Sequence, residues 1–221
     1  MKYFTPDFLQ FFKELAANNN KEWFDVNRKR YETNVKKPME VFVGDALKEL
    51  YKNKKLEVKP SECIFRINRD IRFSKDKAPY KLFTSAVISA EGKNTHGTGG
   101  IYVELGPEKL AFAGGAYQPE KDALLDIREA IAKNPKALMK AVKDKSFAKH
   151  WGDIQGERNK VLPAEFKEVV EECPYIANKQ LYYWVELDSK IITSDKLMKT
   201  VVDYYNAATP VREFLEKAVR R

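Results

Sequence analysis

Residues 99–117 read GGIYVELGPEKLAFAGGAY. Two apolar arms, "GGIYVELG" and "LAFAGGAY", flank Gly106-Pro107-Glu108-Lys109. Glycine and proline favour tight turns and interrupt regular elements, so this stretch predicts a hairpin between two strands. The paired glycines Gly114 and Gly115 lie inside the second arm. A glycine pair within a strand predicts a bulge, or a place where another group comes close to the backbone.

Working outward, "FTSAVIS" and "CIFRIN" upstream read as two further strands. Four strands joined by turns predict an antiparallel meander over 60–118. Residues 1–55 read as two or three helices. Thr5 precedes Pro6, and Phe8, Phe11, Phe12 and Leu15 recur on one helical face. Asn18-Asn19-Asn20 breaks that helix, and Asn20 is placed to cap the next. Pro38 should kink or restart the chain before Met39, Phe42, Val43, Ala46, Leu47 and Leu50 continue the helical period. Downstream, helices are predicted over Pro119–Ala132, Pro135–Val142 and Pro163–Val170, with "LYYWVEL" at 181–187 as a late strand. Two closing helices begin at Ser194 and at Thr209-Pro210. Helices, then strands, then helices with one strand describe an α+β fold. The expectation is one domain over 1–221, with an antiparallel-rich sheet packed by N-terminal and C-terminal helices.

The 221 residues are 43% apolar, enough for a substantial core, and carry a formal charge of +8. A basic balance favours anionic partners without choosing among them. Cys63 and Cys173 stand far apart, which excludes a disulfide framework and a cysteine-rich zinc site and predicts two buried, reduced thiols. No metal and no cofactor is expected. No window of eighteen apolar residues occurs and the N-terminal stretch lacks a signal-peptide pattern, so a cytoplasmic protein without a membrane partner is expected. Composition is silent on oligomeric state.

Half of the excess charge lies in RINRDIRFSKDKAPYK, residues 66–81. Read as a strand, Ile64–Asp70 puts Arg66, Asn68 and Asp70 on one face and Phe65, Ile67 and Arg69 on the other. Guanidinium forks beside mobile ammonium groups suit phosphate or carboxylate. Arg66, Arg69, Arg72, Lys75 and Lys77, with Lys81, are therefore the anion-binding candidates, and Asp70, Ser74 and Tyr80 would support them. The partner would be an anionic small molecule or nucleic acid. In a second reading the cluster grips the phosphate or carboxylate of a substrate while Asp76, His96 or Tyr117 moves protons. In a third, Arg66, Arg69, Asp70 and Asp76 form a salt-bridge network with a purely structural role. Ser74-Lys75-Asp76-Lys77 satisfies S-x-x-K, but Pro79 argues against the helix that such a nucleophile needs.

Other candidates are more diffuse. His96 sits in a glycine-rich loop, where a turn residue is the simpler reading. Glu104, Glu186 and Asp188 are carboxylates whose convergence the sequence cannot show. "YYW" at 182–184 could stack bases, but core packing is the expected use.

The segments "NKEWFDVNRKRYE" (20–32), "FRINRDIRFSKDKAPYK" (65–81), "GGAYQPE" (114–120) and "LDIREAI" (125–131) together resemble the bacterial and fungal family called domain of unknown function 2461. Its centre is an R-x-x-R-D-x-R-F-S-K-D-K-x-P-Y-K pattern, matched here from Arg66 to Lys81. Two departures stand out: "GGIYVEL" where a G-Y-Y-type strand start is usual, and Asn68 where histidine or tyrosine is common. The resemblance implies a cytoplasmic α+β protein and brings no activity, cofactor or substrate with it.

Overall fold

The computed structural model describes residues 1–52, 54–94 and 98–219. It has an α+β fold with a four-stranded antiparallel sheet in the order β1-β2-β3-β4. The strands are β1 Thr84–Ile88, β2 Ile101–Leu105, β3 Leu110–Ala116 and β4 Leu181–Leu187. The hairpin at 99–117 forms as read, closed by the Gly106 N–H donating to the Lys109 carbonyl at 3.1 Å. The chain divides into two compact units, one mainly 1–93, 102–112 and 186–202, the other mainly 113–185 and 203–219.

In the first unit, α1 (Pro6–Ala17) buries Phe8, Phe11, Phe12 and Leu15. Asn20 caps α2 (Lys21–Tyr31) by accepting from the Trp23 N–H at 2.9 Å. Thr5 precedes α1 without a side-chain capping bond, so Pro6 alone supplies the start signal. A single π turn, Glu32–Lys36, then joins α2 to α3 (Lys37–Leu50). The Lys37 N–H reaches back to the Glu32 carbonyl just before Pro38, which has no N–H to offer. The expected break at Pro38 is therefore a one-turn change of hydrogen-bond register. Met39, Phe42, Val43, Ala46 and Leu47 line the buried face of α3. Arg30 clamps the helices by pairing with Asp7 and Glu14, each at 2.5 Å, while Asn34 donates to Asp7 at 2.6 Å.

The strand expected at "CIFRIN" does not form. Pro60–Cys63 is one helical turn, α4, in which the Glu62 carboxylate accepts the Lys59 N–H at 2.6 Å. Beyond it the chain is extended but pairs only through isolated bridges, Ile64 to Ala86 and Asn68 to Tyr80. Pro60 starts a turn, and between the two bridges one arm advances four residues while the other advances six, so the register slips and no continuous ladder develops.

In the second unit the Gly114-Gly115 reading is answered by Tyr183 of β4. A Cβ at Gly114 would lie 2.6 Å from the Tyr183 ring, and Gly115 has φ +86° with a Cβ position 2.4 Å from the Leu181 carbonyl. Helices α5 (Lys121–Lys133), α6 (Pro135–Val142), α7 (Lys145–Trp151) and α8 (Ala164–Lys167) follow β3. The chain closes with α9 (Leu197–Ala207) and α10 (Thr209–Val219). Helix α7 is not foreseen in the sequence; Asp144 caps it by accepting from the Ser146 and Phe147 N–H groups. Its Phe147 and Trp151 pack edge-on to Tyr183 at 5.3 and 4.6 Å. Of the "YYW" triplet, Tyr183 is core while Tyr182 and Trp184 are half-buried. Buried Arg128 donates to the Ile176 and Asn178 carbonyls at 3.1 and 3.2 Å, tying α5 to that loop. Cys63 and Cys173 are both buried thiols.

Candidate functional site

The basic segment folds as an irregular hairpin in the first unit. Its arms pair through the Arg69 N–H to the Pro79 carbonyl and the Lys81 N–H to the Ile67 carbonyl, each at 2.9 Å. The Asn19 carboxamide completes the backbone of Tyr80, donating to its carbonyl at 2.9 Å and accepting its N–H at 3.1 Å. The Tyr80 ring stacks on Phe24 with centroids 4.1 Å apart, so Tyr80 supports the hairpin as part of the core. Exposure alternates as the sequence reading expects: Arg66, Asn68 and Asp70 face solvent, while Ile67 is buried and Phe65 and Arg69 half-buried.

The tip is tied by its own side chains. Arg69 pairs with Asp76 at 2.6 Å and donates to the Ala78 carbonyl at 3.0 Å. Arg72 grips Asp70 through two bonds, 3.0 Å from Nε and 2.7 Å from Nη2. The Ile71 carbonyl accepts from the Lys77 ammonium at 2.9 Å and from the Ser74 N–H at 3.3 Å. Both aspartates are held below the usual carboxylate range, Asp70 chiefly by the Arg72 guanidinium and Asp76 chiefly by the Ala78 N–H. Asp76 is thus an ionised acceptor with both oxygens engaged, a structural use of a residue considered above for proton transfer.

Among the described residues two of the six cations therefore form ion pairs with carboxylates, and four form none. Arg66 and Lys75 are exposed and make no hydrogen bond or ion pair among the described residues. Among the described residues Lys77 bonds to backbone, at the Ile71 carbonyl. Lys81 is half-buried with its ammonium 5.5 Å from the centre of the Phe65 ring. Burial first, and the neighbouring Arg66 charge second, push the Lys81 ammonium below its ordinary value. A cation held beside another cation, partly out of water, raises the energy of the empty fold and gives an incoming anion two charges to neutralise.

Beside this base, on β2, the Tyr102 hydroxyl donates to the Glu104 carboxyl at 2.9 Å. Glu104 is only 9% exposed, and burial pushes its carboxyl up despite the Tyr102 bond and the attraction of Lys109. Burial likewise raises the Tyr102 hydroxyl. Lys109 pairs with Glu186. The sequence reading named Glu104 and Glu186 but overlooked Tyr102. The available signal was the Y-x-E spacing on a strand, which places both side chains on one face.

The remaining candidates stand elsewhere. Tyr117, in the second unit, is 60% exposed with its ring edge-on to Tyr182 at 5.2 Å. His96 lies outside the described residues. Among the described residues no group of three or more His, Cys, Asp or Glu is placed to hold a metal ion. Nor, among them, is any helix long and apolar enough to cross a membrane.

Residues 7–214 match the family described as "Conserved hypothetical protein (DUF2461)". The chain belongs to the DUF2461 family. The matched span contains the whole basic hairpin together with Tyr102 and Glu104. No curated protein and no solved structure matches the chain.

Proposed function

We propose that the chain binds an anionic partner at the base of the 66–81 hairpin, with Arg66 and Lys81 as the primary contacts and Lys75 and Lys77 in support. The observation that carries this reading is the pairing of two like charges. Among the described residues Arg66 forms no ion pair; it attracts Asp70 through space, and its charge helps depress Lys81, which Glu104 in turn attracts. Arg69 and Arg72 fill a different role, bracing the tip through Asp76 and Asp70. Anion binding needs no catalytic group and is the simplest chemistry that this pair supports, since Asp70 and Glu104 attract it without forming an ion pair with it. A cytoplasmic location goes with this reading, since both cysteines are buried thiols.

A catalytic version draws on one further observation, the Tyr102–Glu104 pair. A carboxyl raised by burial beside a cationic anion cradle is a suitable proton donor or acceptor.

Calorimetric titration with inorganic polyphosphate at low salt tests the binding reading. Wild type is expected to bind with affinity that falls as salt rises, and the Arg66→Ala, Lys81→Ala double variant to lose most of it while remaining folded. Equal binding by wild type and double variant would overturn the assignment.

A further inference from the structure

Phe73 stands at the tip of the same hairpin and is 95% exposed. A single exposed apolar side chain is unremarkable in itself. This one differs in how it is displayed. The bonds from Arg69 to Asp76, Arg72 to Asp70, Lys77 to Ile71 and Ser74 to Ile71 surround it and hold the loop in one shape. None of them involves the ring. The Arg72 guanidinium lies 5.8 Å from the ring centre, so the aromatic is flanked by a cation as well as presented to solvent. Within 72–77 every other side chain is polar or charged.

We propose that Phe73 is a stacking platform for a base of a single-stranded nucleic acid, whose phosphates run along Arg66, Lys75, Lys77 and Lys81. This rests on the anion-binding reading and names its partner class. An aromatic ring on a segment rich in cations is the combination that single strands require, because each unstacked base offers a π face and each nucleotide a phosphate. Duplex nucleic acid hides its base faces, so the ring would go unused there. A membrane surface would reward a cluster of apolar side chains, and Phe73 is the one apolar residue within 72–77. A protein partner would call for a continuous apolar patch of the kind the tip lacks.

The test is fluorescence anisotropy with a labelled mixed-sequence 12-nucleotide single strand, with unlabelled duplex and inorganic polyphosphate as competitors and anionic phosphatidylglycerol vesicles in parallel. Four phosphate contacts predict a slope of about −3 for log affinity against log salt. Phe73→Ala should weaken single-strand binding roughly 10- to 100-fold with the slope unchanged, and Phe73→Trp should restore it. Arg66→Ala should lower the slope by about 0.7. Polyphosphate should bind wild type and Phe73→Ala equally. Binding of polyphosphate without any effect of Phe73→Ala on the single strand would overturn this inference and leave the anion reading standing. Absence of binding to either polyanion would overturn both. Binding to vesicles but not to the oligonucleotide would reassign the ring to a membrane surface and equally contradict the proposal.

Discussion

The Arg69 guanidinium meets the Asp76 carboxylate at 2.6 Å and the Ala78 carbonyl at 3.0 Å, closing the hairpin tip on itself. Arg69 is half-buried but Asp76 is open to solvent, so the contribution of the pair to global stability is small. Its effect should be local. Arg69→Ala is expected to speed amide exchange at Ala78 and through 71–77 while leaving the thermal midpoint nearly unchanged. A large fall in the midpoint would mean that the tip is part of the global folding unit.

Arg30 holds two carboxylates from α1, and the Asp7 arm also receives Asn34. The Asp7 carboxyl is held below its ordinary value, chiefly by Arg30. A depressed folded pKa contributes stability above the unfolded value of about 4 that is lost as pH falls through the folded value. Arg30→Ala should cost about 1–2 kcal/mol at pH 7, at the low end for charged hydrogen bonds because the cluster is partly solvated. The difference from wild type should shrink below pH 4. Denaturant titrations at pH 7 and pH 3 check both parts.

Glu104 behaves in the opposite sense. Its folded pKa is raised by burial, so the stability it contributes is full below the unfolded carboxyl value and is lost as pH rises through the folded one. Glu104→Gln keeps an acceptor for the Tyr102 hydroxyl and removes the ionisation. The variant is expected to melt at or above the wild-type temperature at pH 8 and to lose that advantage at pH 4. A variant clearly less stable at pH 8 would show that attraction from Lys109 and Lys81 outweighs desolvation.

The Tyr183 hydroxyl is buried and has no protein partner among the described residues, while its ring presses on Gly114. An unsatisfied buried hydroxyl costs free energy, so Tyr183→Phe should be neutral or stabilising by about 1 kcal/mol. Gly115→Ala should be severely destabilising, because its φ of +86° is compounded by a 2.4 Å clash with the Leu181 carbonyl. Gly152→Ala, with φ +76° and open space around it, carries only the backbone cost of about 1–3 kcal/mol. Thermal melts of the three variants should rank accordingly.

Local signals account for the elements that the sequence announces. Asn20 caps α2, Pro135 opens α6 at its first residue, and Gly106-Pro107 turns β2 into β3. "CIFRIN" misleads because its apolar alternation is real, yet a strand also needs a partner that stays in register, and the returning arm slips by two residues between its bridges at Tyr80 and Ala86. Helix α7 escapes notice because Phe147 and Trp151 give it only one apolar repeat. At the site, the alternation of Arg66, Asn68 and Asp70 was legible from strand period alone. Which arginines are neutralised was not. That depends on the turn at 71–77 folding Asp76 back to Arg69, a tertiary fact with no sequence period. The exposure of Phe73 has the same origin, since its neighbours satisfy one another and leave the ring outside.

The most direct test of the central claim is an amide and guanidinium NMR titration with polyphosphate at low ionic strength. The account predicts shifts concentrated at Arg66, Lys81 and Lys75, with the Arg69–Asp76 and Arg72–Asp70 pairs retained throughout. Shifts scattered over unrelated surface lysines, or none within 66–81, would contradict it.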